Sequence, residues 1–353
     1  MQTILVTGGA GFIGSHTCLV LLENNFKVII LDSFVNGSKE ALRRISKILI
    51  NKKIELKNSL FIYEGDIRDE EKLNNIFEDF RKKNLPIEAV IHFAGLKAVD
   101  DSFLRPNEYW NVNVEGSVKL FKVMEKYNCT KIVYSSSATV YDQLFKGSLT
   151  EEAPLLPSNP YGESKLEVEK ILNNIYLKKS NKWNVIILRY FNPIGAHPSG
   201  LIGEDPKNKG SNLYPLLIEA ALSKLDILKI FGRDWPTKDG TCIRDFIHVM
   251  DLAEAHLESL KYLHKNESNF LILNVGRGKG TSVLELVKAF EKANGCQILF
   301  KYVDRRKGDI CKSVANNSLI LSTLDWTCKR NLEDMCKDGW RWKTLNPNGF
   351  NDL

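Results

Sequence analysis

Apolar, β-rich runs recur through the first 190 residues, at Thr3–Val6, Lys27–Leu31, Leu60–Tyr63, Ala89–Phe93, Lys131–Tyr134 and Val185–Leu188, and each predicts a strand. Between them lie helix-like stretches at Phe12–Glu23, Lys39–Ile50, Glu70–Lys83, Asn107–Tyr127 and Gly162–Lys178. The strands are continuously apolar rather than alternating, as a strand covered on both faces requires. Strand and helix in alternation predict an α/β fold, a doubly wound parallel sheet of the Rossmann kind, with ligand beyond the carboxyl ends of the strands. After Arg189 the pattern changes. Residues 192–210 are rich in Pro, Gly, Asn and His and read as a long loop, and the signals beyond it mix without regular alternation. This predicts a first unit over residues 1–190 and a second, smaller mixed α/β lobe over residues 191–353. Two later segments, Phe246–Leu263 and Phe270–Asn274, are expected to return to the first unit.

Composition narrows the class. The chain has 353 residues, 43% of them hydrophobic, enough for a large core in two lobes. No apolar run reaches the roughly 20 residues that span a bilayer, so no membrane partner is expected. The first residues have neither a basic region nor a small-residue cleavage site, and no secretory leader is expected. The net charge of +6 comes from 49 basic and 43 acidic residues dispersed along the chain, without the concentrated basic face that nucleic acid requires. Seven cysteines are widely spaced, with no CxxC pair and no Cys/His metal spacing. Free thiols in a reducing cytoplasm, and no metal, are the expectation.

The first chemical signal is Thr7-Gly8-Gly9-Ala10-Gly11-Phe12-Ile13-Gly14, between a strand and a helix. Glycines at 8, 11 and 14 permit a tight turn, close approach of backbone to a pyrophosphate, and close helix–strand packing. The helix N-terminus then presents its positive end to the phosphates. Asp32 ends the next strand, where an acid can accept both ribose hydroxyls and repel a 2′-phosphate, so NAD is expected rather than NADP. Glu64-Gly65-Asp66-Ile67 ends the third strand and could bracket an adenine, although the same residues make an ordinary strand-to-turn passage. In His92-Phe93-Ala94-Gly95-Leu96-Lys97, small Ala94 and Gly95 would let backbone approach the cofactor.

The second signal is Tyr161-Gly162-Glu163-Ser164-Lys165. Its tyrosine and lysine are four apart and share a helical face. An ammonium beside a phenol favours the phenolate, which would let Tyr161 act as a base near neutral pH. Ser135-Ser136-Ser137-Ala138-Thr139 ends the fifth strand, where a hydroxyl could bond the substrate oxygen that Tyr161 deprotonates. Alone, each motif is common on helix surfaces or strand ends; following a nucleotide-binding half, they gain meaning together.

Taken with GxxGxxG and Asp32, these motifs resemble the extended short-chain dehydrogenase/reductases. Four longer strings, HFAGLKAV at 92–99, SSSATVY at 135–141, RYFNPIGAHPSG at 189–200 and DGTCIRDFIHVMDL at 239–252, resemble the UDP-glucose 4-epimerase family, over essentially the whole chain. Related dehydratases carry an Asp-Glu pair where this chain has Ala138-Thr139. The resemblance implies reversible inversion at C4 of a UDP-hexose through a transient 4-keto sugar, with NAD held as a prosthetic group. It implies Tyr161, Lys165 and Ser137 as catalytic residues. It implies cofactor contacts at Gly8, Gly11, Phe12, Ile13, Gly14, Asp32, Asn36, Asp66, Ile67, Phe93, Ala94, Lys97, Tyr161, Lys165 and Phe191. For the UDP-sugar it implies Ser137, Asn192, Asn212, Leu213, Phe231, Arg244, Arg306, Asp309 and Ser313. Two guanidinium groups suit a diphosphate, and Phe231 can face the uracil. The family's usual homodimer is expected too.

Three positions depart from the family pattern. Val112 stands where some relatives have a cofactor-binding asparagine, so no contact is assigned there. Asp142 replaces a usual glycine, which bears on the shape of the loop after Tyr141. Ser313 replaces a larger side chain on the sugar-pocket wall, which admits UDP-N-acetylhexosamines as substrates. An epimerase specific for UDP-N-acetylhexosamines or UDP-hexuronic acids, and a non-catalytic NAD-binding scaffold on the same fold, are the alternative readings.

Overall fold

The alternation of the first half appears in the computed structural model, which describes residues 2–54, 58–178, 182–207, 212–306 and 309–351. In chain order come β1 (Thr3–Thr7), α1 (Phe12–Glu23), β2 (Lys27–Asp32), α2 (Lys39–Asn51), β3 (Leu60–Glu64), α3 (Glu70–Lys82) and β4 (Ile87–His92). Then follow α4 (Val99–Leu104), α5 (Pro106–Trp110), α6 (Gly116–Lys126), β5 (Lys131–Ser137), α7 (Pro160–Lys178) and β6 (Asn184–Tyr190). Caps fix several helix starts. Ser38 accepts from the Glu40 amide ahead of α2, and Asp69 from the Lys72 amide ahead of α3. α3 also carries Glu70 and Glu71 in its first turn and Arg81 and Lys82 in its last, the charge order that suits its dipole.

The remaining elements are β7 (Asn192–Ile194), α8 (Leu213–Ala221), β8 (Leu228–Phe231), β9 (Ile243–Arg244), β10 (Phe246–His248), α9 (Val249–Lys265) and β11 (Phe270–Val275). They continue with β12 (Thr281–Ser282), α10 (Val283–Asn294), β13 (Phe300–Val303), β14 (Lys312–Ser313), α11 (Ser318–Thr323) and α12 (Leu332–Leu345). Reciprocal capping boxes, Ser282 with Glu285 and Asn331 with Asp334, start α10 and α12.

Seven strands form one parallel sheet in the order β11-β6-β5-β4-β1-β2-β3. Successive strand residues point to opposite faces, and each face has its own core. Ile4, Val6, Val28, Ile30, Ala89 and Ile91 join the core that α1, α2 and α9 cover. Leu5, Ile29, Leu31, Val90, Ile132 and Tyr134 join the one under α3, α6 and α7. Burial on both sides is why these strands read as unbroken apolar runs. A third core, with Leu217, Ile230, Phe246, Leu286, Phe290 and Met335, gathers α8, α10 and α12 with β8 and β10. Short strand groups β10-β7, β12-β9-β14 and β13-β8 complete the described residues.

Two expectations need correction. The helix expected over 107–127 is broken: α5 stops at Trp110, residues 111–115 form a π-helical turn, and α6 resumes at Gly116. The extra residue of the π turn swings Asn113 inward, as described below. The loop expected over 192–210 begins instead with β7, which pairs in parallel with β10; residues 208–210 lie outside the described residues. No described helix is long and apolar enough to cross a membrane.

Candidate active site

The carboxyl ends of β4, β1 and β2 lie side by side, and the glycine loop leaves the middle one. Gly8 adopts φ +72°, and a Cβ there would meet the Ala94 amide nitrogen at 2.7 Å. A Cβ on Gly14 would meet the Gly8 carbonyl at 2.3 Å. The backbone therefore turns tightly and α1 approaches the loop closely, the cradle a pyrophosphate needs. The first turn of α1, Phe12-Ile13-Gly14, contains no acid and starts at Gly11, which has no capping side chain. Its amides lack intrahelical carbonyl partners.

Around this cradle stand the other expected cofactor residues. Asp32 is buried, and its two carboxylate oxygens accept from the Ala10 and Phe34 amides at 2.8 Å each. It thus ties the glycine loop to the loop after β2, which carries exposed Asn36. Burial raises the Asp32 pKa, while those amides and the Lys207 charge oppose the rise. Asp66, after β3, is held by Arg68, which contacts both carboxylate oxygens (2.9 and 2.7 Å) and keeps its pKa low. Ile67 is buried beside it against Gly116. Phe93 and Ala94 are half-buried beyond β4, and exposed Lys97 reaches Glu204 at 3.5 Å. Phe191 is buried after β6.

The catalytic candidates come from β5 and α7. Buried Lys165 donates to the Ser135 carbonyl at 2.8 Å, and its ammonium lies 5.0 Å from the Tyr134 ring centre and 5.9 Å from that of Tyr161. Burial pushes Tyr161 up to about 12, with a hydrogen bond from Ser137 pulling the other way. Burial pushes Lys165 down to about 8, opposed by the Glu169 charge. In the protein alone the Lys165 ammonium bonds a carbonyl and desolvation dominates at the Tyr161 phenol. Ser137 accepts from the Thr139 amide at 3.2 Å and the Thr139 hydroxyl at 3.0 Å, capping a one-turn 3₁₀ helix at Ala138–Val140.

A buried polar chain joins the cradle to α7. Thr7 bonds His92 Nδ1 at 2.7 Å, His92 Nε2 bonds Ser117 at 2.9 Å, and Ser117 donates to the Asn113 carbonyl. The Asn113 amide accepts from Leu96 N at 2.7 Å and donates to Leu96 O at 3.1 Å and to Ser164 at 2.9 Å. Ser164 donates to the Tyr161 carbonyl at 2.7 Å. Asn113, passed over in the sequence because its neighbour Val112 breaks the family pattern, thus fastens the 93–97 loop to α7. Only the π turn makes this legible.

The expected substrate residues come from the loops and short elements after β6. The Arg306 guanidinium stacks over Phe231 at 4.4 Å. Arg244 reaches Asp309 at 3.4 Å and donates to the Ile310 carbonyl at 2.9 Å. Ser313 is the register partner of Arg244 in the β14–β9 pair. The Asn192 amide donates to the carbonyl of Asp245, beside Arg244. Asn212 and Leu213 stand at the start of α8. Asp142 shapes its loop without a left-handed backbone: its carboxylate accepts from Leu144 N at 2.9 Å, and its own amide donates to Pro154 O at 2.8 Å.

Comparison with known proteins agrees with this geometry. The chain is 47% identical over 349 residues to the UDP-glucose 4-epimerase of Bacillus subtilis (strain 168), covering 99% of both. It matches the structure of UDP-glucose 4-epimerase from Bifidobacterium longum in complex with NAD+ and UDP at 42% identity and TM-score 0.90, over 99% of this chain and 100% of that one. It matches the Stenotrophomonas maltophila enzyme with bound NAD and formylated UDP-arabinopyranose at 39% identity and TM-score 0.91, over 98% of both. A sequence profile of the NAD dependent epimerase/dehydratase family covers residues 4–276. With that profile over most of its length and a relative of such identity end to end, the chain belongs to the NAD dependent epimerase/dehydratase family.

Proposed function

We propose that this chain interconverts UDP-glucose and UDP-galactose by reversible inversion at C4, with NAD as a tightly held cofactor. The observation that carries the reading is the juxtaposition of a glycine cradle, tied by a buried polar chain to α7, with a Tyr161–Lys165–Ser137 group at the end of β5. The cradle fits a dinucleotide, since a Cβ at Gly8 or Gly14 would collide with the Ala94 or Gly8 backbone and push apart the close-packed turn that a pyrophosphate needs. Gly8, Gly11, Phe12, Ile13, Gly14, Asp32, Asn36, Asp66, Ile67, Phe93, Ala94, Lys97, Tyr161, Lys165 and Phe191 would hold NAD, which when bound would supply the hydride acceptor and donor for C4. Tyr161 takes the proton from O4 and returns it to the 4-keto sugar's oxygen. A partly desolvated phenol does this only when positive charge is near, and Lys165 supplies the protein's share. Ser137 bonds O4 and keeps the phenol aligned. Arg244 and Arg306 clamp the pyrophosphate, and Phe231 faces the uracil, so the sugar can turn over while its UDP stays fixed.

Residues 1–190 with 246–274 act as the NAD-binding unit, and the rest of 191–353 mainly as the UDP-sugar lobe. The parallel seating of β11 beside β6 and the packing of α9 on α1 support that division. All seven cysteines are free thiols, which supports a reducing cytoplasm. A second substrate pair, UDP-N-acetylglucosamine and UDP-N-acetylgalactosamine, is supported by small Ser313 beside Arg244. The test is incubation with UDP-glucose followed by separation of the epimers, for wild type and Tyr161→Phe. Wild type should yield both epimers. The variant should keep bound NAD and lose at least about 100-fold in turnover; normal turnover in it would overturn the assignment.

A further inference from the structure

We infer that Glu169 is a positioning residue of this reaction: its carboxylate supplies the counter-charge for the buried Lys165 ammonium and, through Ser136, anchors the strand end that carries Ser137. The inference rests on the roles proposed for Tyr161 and Lys165. Tyr161, Lys165 and Glu169 are spaced four and four along α7, so they lie on one face. Lys165 and Glu169 are each 4% exposed and Arg189 is 1% exposed. A buried ammonium needs a partner, and among the described residues Lys165 bonds directly only to a neutral carbonyl.

The groups facing Lys165 are few. From β4 comes His92, kept neutral by burial that pushes it down to about 3. From β5 come the Ser135 carbonyl and Tyr134, whose pKa burial raises and the Glu169 charge raises further. Tyr190 of β6, beside Ser135 and Tyr161, is a neutral phenol bonded to His256 of α9, whose pKa burial pushes down to about 4. From α7 come Tyr161 and Glu169. Among these, Glu169 is the anion. Its carboxylate is fixed from the far side by Arg189, through Nε at 3.0 Å and a terminal nitrogen at 2.6 Å, and accepts from Ser136. Arg189 in turn donates to Tyr141 at 3.1 Å and to the Glu151 carbonyl at 3.0 Å. A buried ion pair seldom stabilises a fold more than an apolar pair of the same volume. Here Glu169 shares the α7 face of Lys165, and its charge favours the ammonium.

The sign of the effect follows. Glu169→Gln removes the anion and leaves Arg189 uncompensated, and both changes disfavour a proton on Lys165. The alkaline limb of kcat against pH should move down by about one unit or more. Glu169→Gln with Arg189→Met removes both charges and most of the folding penalty, so its limb should fall between that of the single variant and wild type. Both profiles are measured on purified NAD-containing protein, beside Tyr161→Phe. A limb at the wild-type pH in the folded variants, whatever happens to the height of the profile, would overturn the inference. If Tyr161→Phe is inactive while the limb stays put, only the role of Glu169 fails; if Tyr161→Phe turns over normally, the underlying reading fails instead.

Discussion

At the residue scale, the proposed substrate range turns on Ser313. It is half-buried and sits in register with Arg244, whose guanidinium is held by Asp309 and the Ile310 carbonyl. A sugar that must present both faces of C4 to the same tyrosine needs room for its C2 substituent in two orientations. At the proposed pocket wall a serine leaves that room, and a tyrosine would fill it with a phenol ring. The wild type should therefore turn over both the plain and the N-acetylated UDP-hexose pairs. Ser313→Tyr should lose the N-acetylated pair by at least about tenfold, the scale of a few clashing atoms in a pocket, and keep the plain pair. Equal loss on both pairs, measured as kcat/KM, would show that Ser313 is no gate. Tyr161 makes a complementary point: its motif was legible as a string, but its ionisation was not. The YxxxK spacing brings the two side chains onto one face, yet burial raises the phenol rather than lowering it.

Individual elements are held by polar contacts that pattern alone does not reveal. Arg44, on α2, looks like a surface residue of an amphipathic helix. It is buried, pairs with Glu40 at 2.7 Å, and donates to Asn346 after α12 and to the Leu201 carbonyl at 3.2 Å. Its guanidinium also lies over the rings of Trp342 and Phe350. One arginine thus fastens the C-terminal elements to the first half of the chain. Arg44→Ala would leave a buried carbonyl and amide without their donor and should cost about 3 kcal/mol. The check is urea unfolding, read as a lower midpoint with unchanged slope. A midpoint equal to wild type would show that the contact contributes nothing. The π turn at Asn111–Glu115 is the other element of this kind: its apolar spacing continues that of the helices on either side, so periodicity predicts one helix and misses the bulge.

For the whole molecule, α4 and α5 pack on α7 yet expose Phe103, Leu104 and Trp110 at 59%, 82% and 44%. Large apolar side chains clustered on neighbouring helices are a surface that water disfavours. A two-fold related copy covers such a patch with itself, and we expect a homodimer through these helices. Sedimentation velocity should give a dimer for wild type and a monomer for the Phe103→Glu, Leu104→Glu double variant. A wild-type monomer at micromolar concentration would remove this expectation.

What the chain determines by itself is local and chemical. Apolar runs long enough only for strands, the glycine spacing, Asp32 at a strand end and the YxxxK spacing all depend on neighbours in sequence, so the Rossmann architecture and the cofactor class were legible. The tertiary structure alone decides what distant residues do together. Arg189 and Glu169 are ordinary letters until β6 and α7 bury them against each other. Asn113 means nothing until the π turn carries it to Leu96 and Ser164. Arg244 and Asp309, 65 positions apart, meet only where β14 pairs with β9. The physical reason is the same in each case. Backbone propensity and periodicity act over a few residues, whereas desolvation and charge pairing act across whatever the fold brings within a few ångströms.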